Sequence, residues 1–551
     1  MKIRPAIRAA LAVLMFWQAS ACSAAQQSAP DAVTPVAVAD AACAQCHQPI
    51  FRKYLDTPMA NASGRALDHA IPASFYHAPS KITYRFFAGD KSFWLSYGRM
   101  GNQTRQKLEY FMGSGHLGVT YLYTINGYLL ESPVAYYANL KAYDMKPGLG
   151  GSTRLPEALP MSPGCMRCHM SSVQREDPGT NNHYQGLPFL HGGITCESCH
   201  GDTREHVRTA GRAAVINPVK LEAERRDSIC ISCHLEGDTS VAHRGRSIAD
   251  YRPGERIEDY LSYFVYAGAN ATNRGVSEIE QLSLSQCKRS SGDRMSCMSC
   301  HDPHYSPAAE ERATFYRDKC LACHTQAGFV TTHYPGNQDC TSCHMPTSKA
   351  QNIPHVAWTD HRIRQHPAQL ESLDGVPANP ELVSFLGQDA PARDLALAYY
   401  NLTANGRIPE AARAGPMLLA VQKSDPPDAA VLTALGFLAP SMGMTAAQSA
   451  DYYREALKLD PLNLLAANNL ATLLARAGQL SAADPLWQSA FDRNEDIESL
   501  SINLALAECR LGQKDKAVQV LQRVLVYGPD SPTAQRRLQA IQTGQDACSV
   551  Q

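Results

Sequence analysis

Seven times the sequence spells Cys-x-x-Cys-His: Cys43/Cys46/His47, Cys165/Cys168/His169, Cys196/Cys199/His200, Cys230/Cys233/His234, Cys297/Cys300/His301, Cys320/Cys323/His324 and Cys340/Cys343/His344. From this composition roughly 0.02 such pentapeptides are expected by chance. Two thiols at that spacing form thioethers to the two vinyl groups of a haem, and the histidine beside them ligates the iron from one side. The motifs use fourteen of the 18 cysteines, so a chain that first suggests a disulfide framework needs none. Zinc is the competing reading of a Cys-x-x-Cys pair, but a zinc ribbon does not require the histidine that follows every pair here. Seven covalently bound haem c groups are the expected cofactors.

Each iron needs a second axial ligand unless its site is open, and twelve of the 19 histidines lie outside the motifs. His191 precedes Cys196, His206 follows His200 by six residues, His304 follows His301 by three, and His355 and His361 follow the last motif. These five are the leading distal candidates. A second group comprises His77, His116, His333 and the thioether of Met59. Methionine opposite histidine raises the reduction potential relative to two histidines; the alternative for Met59 is an ordinary apolar contact. Cys287 has no assignment, and Cys509 reads as a buried helix residue.

Six motifs fall between Cys165 and His344, about 30 residues per haem, too little chain to build a separate core around each. The haems must share walls.

The elements around them read as mostly α. Residues 41–370 form the haem region, with an inserted antiparallel β subdomain near 73–145. There Ile82, Tyr84 and Phe86, then Phe93, Leu95 and Tyr97, alternate, and Asn126-Gly127 between apolar runs signals a hairpin. No histidine occurs beyond His366. From 390 to 545 the chain is rich in Ala and Leu, and Pro427, Pro461 and Pro529 keep one register of 34 residues, the tetratricopeptide period. An α-helical solenoid is expected, a surface for a partner rather than for catalysis.

Lys2, Arg4 and Arg8, the apolar run Ala9–Trp17 and the small residues after it read as an export signal over 1–25, followed by a flexible tether over 26–40. Cys22 is either an acylated lipoprotein cysteine or part of an ordinary cleavage region. The expected location is the periplasm or the cell surface. No later run is apolar enough to cross a bilayer, and a formal net charge of −1 gives no basic footprint for nucleic acid.

The segments CESCHGDTREH, MSCMSCHDPH, and CTSCHMP followed by HVAWTDHRI resemble the multihaem cytochrome superfamily that includes the tetrahaem nitrifier cytochrome, hydroxylamine oxidoreductase and pentahaem nitrite reductase. The whole chain is similar to bacterial proteins that join such a region to tetratricopeptide repeats. Relatives often carry CHGPGxxH, whose last histidine serves a neighbouring haem; here Asp202-Thr203 replaces Pro-Gly and His206 keeps the spacing. A Cys-x-x-Cys-Lys motif, which marks the catalytic haem of the nitrite reductases, does not occur.

The expected function is electron transfer, with the repeats docking a redox partner as a module removable without disturbing the haems. The alternatives are an oxidoreductase acting on a small nitrogen or sulfur compound at one open haem, and a scaffold with the haems as redox sensor.

Overall fold

The computed structural model describes residues 33–99, 102–156, 159–267, 274–326, 333, 339–365, 381–386, 389–544 and 548. The first motif lies in the helix Ala41–Leu55, whose backbone leaves helical geometry at His47 (φ −108°, ψ 31°). Pro49 accounts for the break, because it has no N–H for the turn below and its ring crowds that turn.

Between the first two motifs the chain is β-rich. Ala73–His77, Ile82–Gly89, Ser92–Arg99 and Asn102–Leu108 form an antiparallel meander. Ile82, Tyr84 and Phe86 point inward while Thr83 and Arg85 stay exposed, the period-two pattern of a half-buried strand. A second sheet runs Ala142–Met145, Val134–Tyr137, Gly118–Ile125, Tyr110–Met112 and Ser63–Arg65, with Tyr128–Glu131 and Leu159–Pro160 branching from Gly118–Ile125. Asn126 (φ 48°) and Gly127 (φ 85°) make the expected turn and pair Ile125 with Tyr128. The two sheets share one aromatic core, in which the rings of Phe86 and Tyr143 lie parallel at 4.0 Å. This β structure reaches past the expected 73–145 on both sides, at Ser63–Arg65 and at Leu159–Pro160, because each end needs a strand to cover its edge.

The remaining motifs lie on short helices: Pro163–His169, Glu197–His200, Ala223–His234, Arg312–Leu321 and Cys340–His344, with a single 3-10 turn at Cys297–Ser299. Three of them, Glu197–His200, Arg312–Leu321 and Cys340–His344, bury no side chain. Side chains alone give these helices no apolar face, which is the situation expected of segments that wrap a large apolar cofactor.

From Ala392 four helical hairpins follow: Ala392–Ala404 with Ala411–Ser424, Ala429–Leu438 with Ala446–Leu459, Leu464–Arg476 with Leu480–Phe491, and Glu498–Arg510 with Lys514–Tyr527; Pro532–Gln542 closes the series. Asp428, Asn463 and Ser531 cap their helices through side-chain oxygens, so the repeat register begins on a polar residue that satisfies an exposed N–H. Ala471, Ala483, Trp487 and Ala490 fill the third hairpin, where small residues let the helices approach the indole. Cys509 is buried as expected, but it is also disulfide-bonded to Cys548, 39 residues on, which ties down the chain after the last helix. A loop of that length removes roughly 4 kcal/mol of chain entropy from the unfolded state.

The repeats share their core with the haem region. The sheet Thr239–Ala242, Leu261–Tyr266, Leu382–Ser384 packs Val241, Phe264, Tyr266 and Leu382 against Ala396, Leu397 and Tyr400 of the first repeat helix. Behind it the buried Asp394 accepts from Arg393 (2.7 Å) and Ser262 (3.0 Å). A second seam lies at the third and fourth hairpins. There Tyr128 donates to the carbonyl of Arg493, and Asn494, fully buried, accepts from Asn181 N–H and donates to the carbonyl of Gly179. The solenoid is thus a wall of the molecule at two separate places, not a removable module. A chain ending at residue 389 should expose this apolar sheet, melt at lower temperature and bind hydrophobic dye; an unchanged melt would show the shared core to be idle.

Two buried carboxyls of the repeat domain, Asp496 and Glu508, are pushed up to about 7 by burial. Their folded pKa values exceed the unfolded ones near 4, so the folded chain holds these protons more tightly. Stability should therefore fall as pH rises from about 4 to about 7 and level off above. In thermal melts across that range, Asp496→Asn with Glu508→Gln should flatten the slope.

Candidate haem-binding site

All fourteen motif cysteines are free thiols, available for bonds to a haem. Sulfurs of different motifs meet. Cys43 of the first motif and Cys196 of the third lie with the Asp40 carboxylate, the three ligand atoms within 4.8 Å of one another, and Asp40 accepts from the N–H of Cys196 at 2.8 Å. Cys168 contacts Cys233, Cys230 contacts Cys297, and Cys320 contacts Cys340.

The second cysteines of three motifs lie outside these contacts. Cys46 and Cys323 are exposed, and Cys343 is half-buried, with the hydroxyl of the adjacent Ser342 donating to its sulfur at 3.9 Å. None of these three takes part in the thiol contacts above; in each motif the first cysteine, Cys43, Cys320 or Cys340, makes the contact instead. The physical reason is the meagre local packing: Arg312–Leu321 and Cys340–His344 bury no side chain, so among the described residues little covers their outer thiols. Cys165, which opens the second motif, is exposed as well. For Cys46, Cys323 and Cys343 a thioether role therefore stands on motif spacing, and a haem held at the exposed Cys46 or Cys323 turns one edge to water.

The histidines sort by which ring nitrogen the protein uses. Nδ1 of His200 faces the carbonyl of Ile216 (2.7 Å), Nδ1 of His206 that of Ala213 (2.8 Å), Nδ1 of His361 that of Thr359 (2.9 Å), and Nδ1 of His344 that of Arg364. A carbonyl only accepts, so each ring carries its proton on Nδ1 and presents a bare lone pair at Nε2, the form a metal needs. His191 resembles them, with Nδ1 at 2.6 Å from the hydroxyl of Thr34, and Nδ1 of His301 lies 3.3 Å from the Tyr316 hydroxyl.

Four ring pairs stand nearly parallel: His47 with His206 (centroids 6.3 Å, 16°), His200 with His304 (6.0 Å, 11°), His301 with His361 (6.2 Å, 28°) and His344 with His333 (6.0 Å, 18°). An iron with a nitrogen ligand ~2 Å away on each side sets two imidazole centres roughly 6 Å apart, so these spacings fit a haem iron between the rings. Each pair joins a motif histidine to one from a different stretch of chain. Burial pushes the imidazoles of His301, down to about 4, and of His304 toward the neutral form that ligates iron.

Other candidates are otherwise employed. His355 spends Nε2 on Asp144 (2.7 Å), so the expectation of a distal ligand there is corrected: its neighbour is a β-strand carboxylate, which the sequence after the last motif does not reveal. His77 uses both nitrogens, on Ser80 (2.8 Å) and the carbonyl of Gly150 (3.0 Å), and is buried. His183 likewise holds Asp177 and the carbonyl of Asn126. His116 is exposed, and His366 lies outside the described residues. Met59 packs with Val36, Tyr54, Leu55 and Ala60, the apolar alternative, while the ring facing His47 is that of His206. His333, from the second group, stands opposite the last motif's histidine.

Among the described residues no second ring stands parallel to His169 or His234. Nδ1 of His169 is buried without a hydrogen bond, and burial lowers its pKa. His234 faces Glu278, Nδ1 to Oε2 3.9 Å, and the carboxylate raises it to about 9. Neither Glu278 nor the carbonyls that anchor the other rings carry any motif; only the fold brings them to the imidazoles.

Two family models match the chain: doubled CXXCH motif over residues 291–329, and cytochrome c554 and c-prime over 142–201. The chain is a multihaem c-type cytochrome with covalently bound haem c. No curated protein sequence matches it. Among solved structures it is similar to MamA (19% identity, TM-score 0.24, covering 26% of this chain and 82% of MamA). It is also similar to MamA from Desulfovibrio magneticus RS-1 (18%, 0.24, 28% and 86%) and to YrrB, described as a TPR protein with an unusual peptide-binding site (19%, 0.25, 28% and 80%).

Bound haem supplies a reversible one-electron iron couple. The chain's part is to hold the thiols and to fix each imidazole's tautomer and direction. His206→Ala should leave the iron beside His47 with one protein ligand and add a high-spin signal to the ferric EPR spectrum. His355→Ala should leave that spectrum unchanged; a new high-spin signal there would restore His355 as a ligand.

Proposed function

We propose that this protein carries seven haems and conducts electrons among them, exported to the periplasm or cell surface, with the repeat domain receiving a redox partner. The observation that carries the reading is the contact between thiols of different motifs. A motif sulfur bonds at the rim of its porphyrin, so sulfurs that touch bring porphyrin rims together. Thiol contacts link the first motif to the third, the second to the fourth, the fourth to the fifth and the sixth to the seventh. Ring pairs add the third to the fifth, through His200 and His304, and the fifth to the seventh, through His301 and His361. All seven motifs then belong to one connected set, a path and not a group of isolated centres. The exposed thiols Cys46, Cys165 and Cys323 give the first, second and sixth haems edges at which electrons enter and leave.

Seven proximal histidines, His47, His169, His200, His234, His301, His324 and His344, ligate the irons. His206, His304, His361 and His333 are the distal ligands of four of them, and His191, with no hydrogen bond at Nε2, is available to a fifth. Export fits the disulfide Cys509–Cys548, a bond of oxidising compartments. The signal over 1–25 and the lipid anchor at Cys22 lie outside the described residues. No helix among the described residues is long and apolar enough to cross a membrane.

A second reading, oxidoreduction of a small nitrogen or sulfur compound at an open iron, is favoured by one observation: His169 and His234 face no second ring among the described residues. The two readings separate by spectroscopy. The mature protein should gain the mass of seven haems, and any smaller number sinks the reading. If conduction is the whole function, cyanide, nitrite and hydroxylamine should leave the ferric spectrum unchanged, whereas a ligand-induced shift would assign an enzyme.

A further inference from the structure

His234 differs from the other motif histidines in what stands behind it. His200 and His344 direct Nδ1 at neutral backbone carbonyls, as do the distal candidates His206 and His361, while the distal candidate His304 has Nδ1 3.6 Å from the carboxylate of Asp302, whose side chain is about half exposed and so screened by water. His234 directs Nδ1 at a carboxylate, Glu278 Oε2, 3.9 Å away. That oxygen is buried and accepts no hydrogen bond; the Glu278 side chain is 23% exposed and that of His234 52%, so water is kept from the carboxylate oxygen rather than from the whole pair. Glu278 opens the helix Glu278–Leu284, while His234 ends Ala223–His234; the contact exists only because the two helices are packed together. A charge-assisted N–H···O bond spans roughly 2.7–2.9 Å, so a shift of about 1 Å in a carboxylate on three rotatable bonds completes it.

We propose that Glu278 is the positioning residue of His234: it accepts the Nδ1 proton and makes the iron that His234 ligates the lowest-potential centre of the array. This role rests on the conducting reading above and is a matter of charge. A carbonyl leaves imidazole neutral, whereas a buried carboxylate draws on the Nδ1 proton and makes the ring a stronger donor to iron. A stronger donor stabilises Fe(III) over Fe(II), so the one-electron reduction of that iron by an external reductant becomes harder while its axial histidine stays in place. The placement gives this consequence. The fourth motif's thiols meet those of both the second motif, Cys168 with Cys233, and the fifth, Cys230 with Cys297. The centre that fills last and empties first therefore sits between the second haem and the other five, setting that one haem apart from the rest of the path.

The test is a spectroelectrochemical titration of the full-length holoprotein. Glu278→Gln keeps the size and a hydrogen-bond acceptor but removes the charge, and it should move the lowest of the one-electron waves upward while the others hold. Glu278→Asp, which restores the carboxylate, should return that wave toward its original position and serves where the glutamine variant fails to fold. Haem content is measured alongside. A protein with seven haems whose lowest wave does not move in Glu278→Gln, or whose waves all move together, overturns the role of Glu278 alone. A wild-type protein with fewer than seven haems overturns the array reading and this inference with it.

Discussion

The two nitrogens of imidazole have to be divided between protein and metal, and the arrangement of the haem region follows from that division. A histidine whose Nδ1–H is donated to a carbonyl is fixed in tautomer and direction, with its lone pair at Nε2 left for iron. His200, His206, His344 and His361 are held this way by backbone oxygens of Ile216, Ala213, Arg364 and Thr359. The chain must therefore place a carbonyl behind each ring as well as a ring beside each motif. Short helices and extended stretches provide such carbonyls, since their C=O groups are not all consumed by helical bonds. That is one physical reason why so little of residues 165–365 is long regular helix.

A region built like this has little apolar side-chain core of its own, and the rest of the fold supplies rigidity around it. The aromatic core of the two sheets, with Phe86, Phe93, Tyr121 and Tyr143, covers one flank. The repeat solenoid meets the haem region at the sheet around Phe264 and again around Asn494 and Tyr128. Each Å² of apolar surface buried there contributes about 25 cal/mol, gained before any cofactor is counted. Cys509–Cys548 pins the far end of the same wall. A surface that binds a partner and a wall that braces the haem region are compatible uses of one solenoid, because a repeat stack has two sides.

Much of this is legible in the sequence, and what is not shares one physical cause. The motifs, the Asn126-Gly127 turn, the strands led by Ile82 and Phe93, and the 34-residue period are local patterns, readable from spacing alone. His206, His304 and His361 stand near motifs, but proximity points equally to His355, whose Nε2 belongs to Asp144, a residue 211 positions away. Proximity also passes over His333, whose ring stands opposite that of His344, and favours Met59, although the ring opposite His47 is that of His206. Spacing also makes the two thiols of a motif look alike, whereas Cys43 is turned inward to Cys196 and Cys46 outward. The shared core around Phe264 is hidden for the same reason: Val241, Leu382 and Ala396 come together only through the fold, and each alone reads as an ordinary apolar residue. Glu278 carries no motif and gains meaning only from the imidazole it faces.

Counting histidines is therefore a weaker guide to a multihaem chain than asking what each nitrogen already holds. Among the described residues His77 and His183 have both nitrogens engaged, and His243 has Nε2 on Ser262 at 3.0 Å, so each serves as a structural linker. Each of the four ring pairs contains one histidine with Nδ1 on a carbonyl, His206, His200, His361 or His344, so two independent features coincide. A ring packed only for stability has no reason to satisfy both at once: the carbonyl fixes which nitrogen is bare, and the partner ring near 6 Å fixes where an atom between them would sit. The coincidence is what iron ligation demands and what burial alone does not.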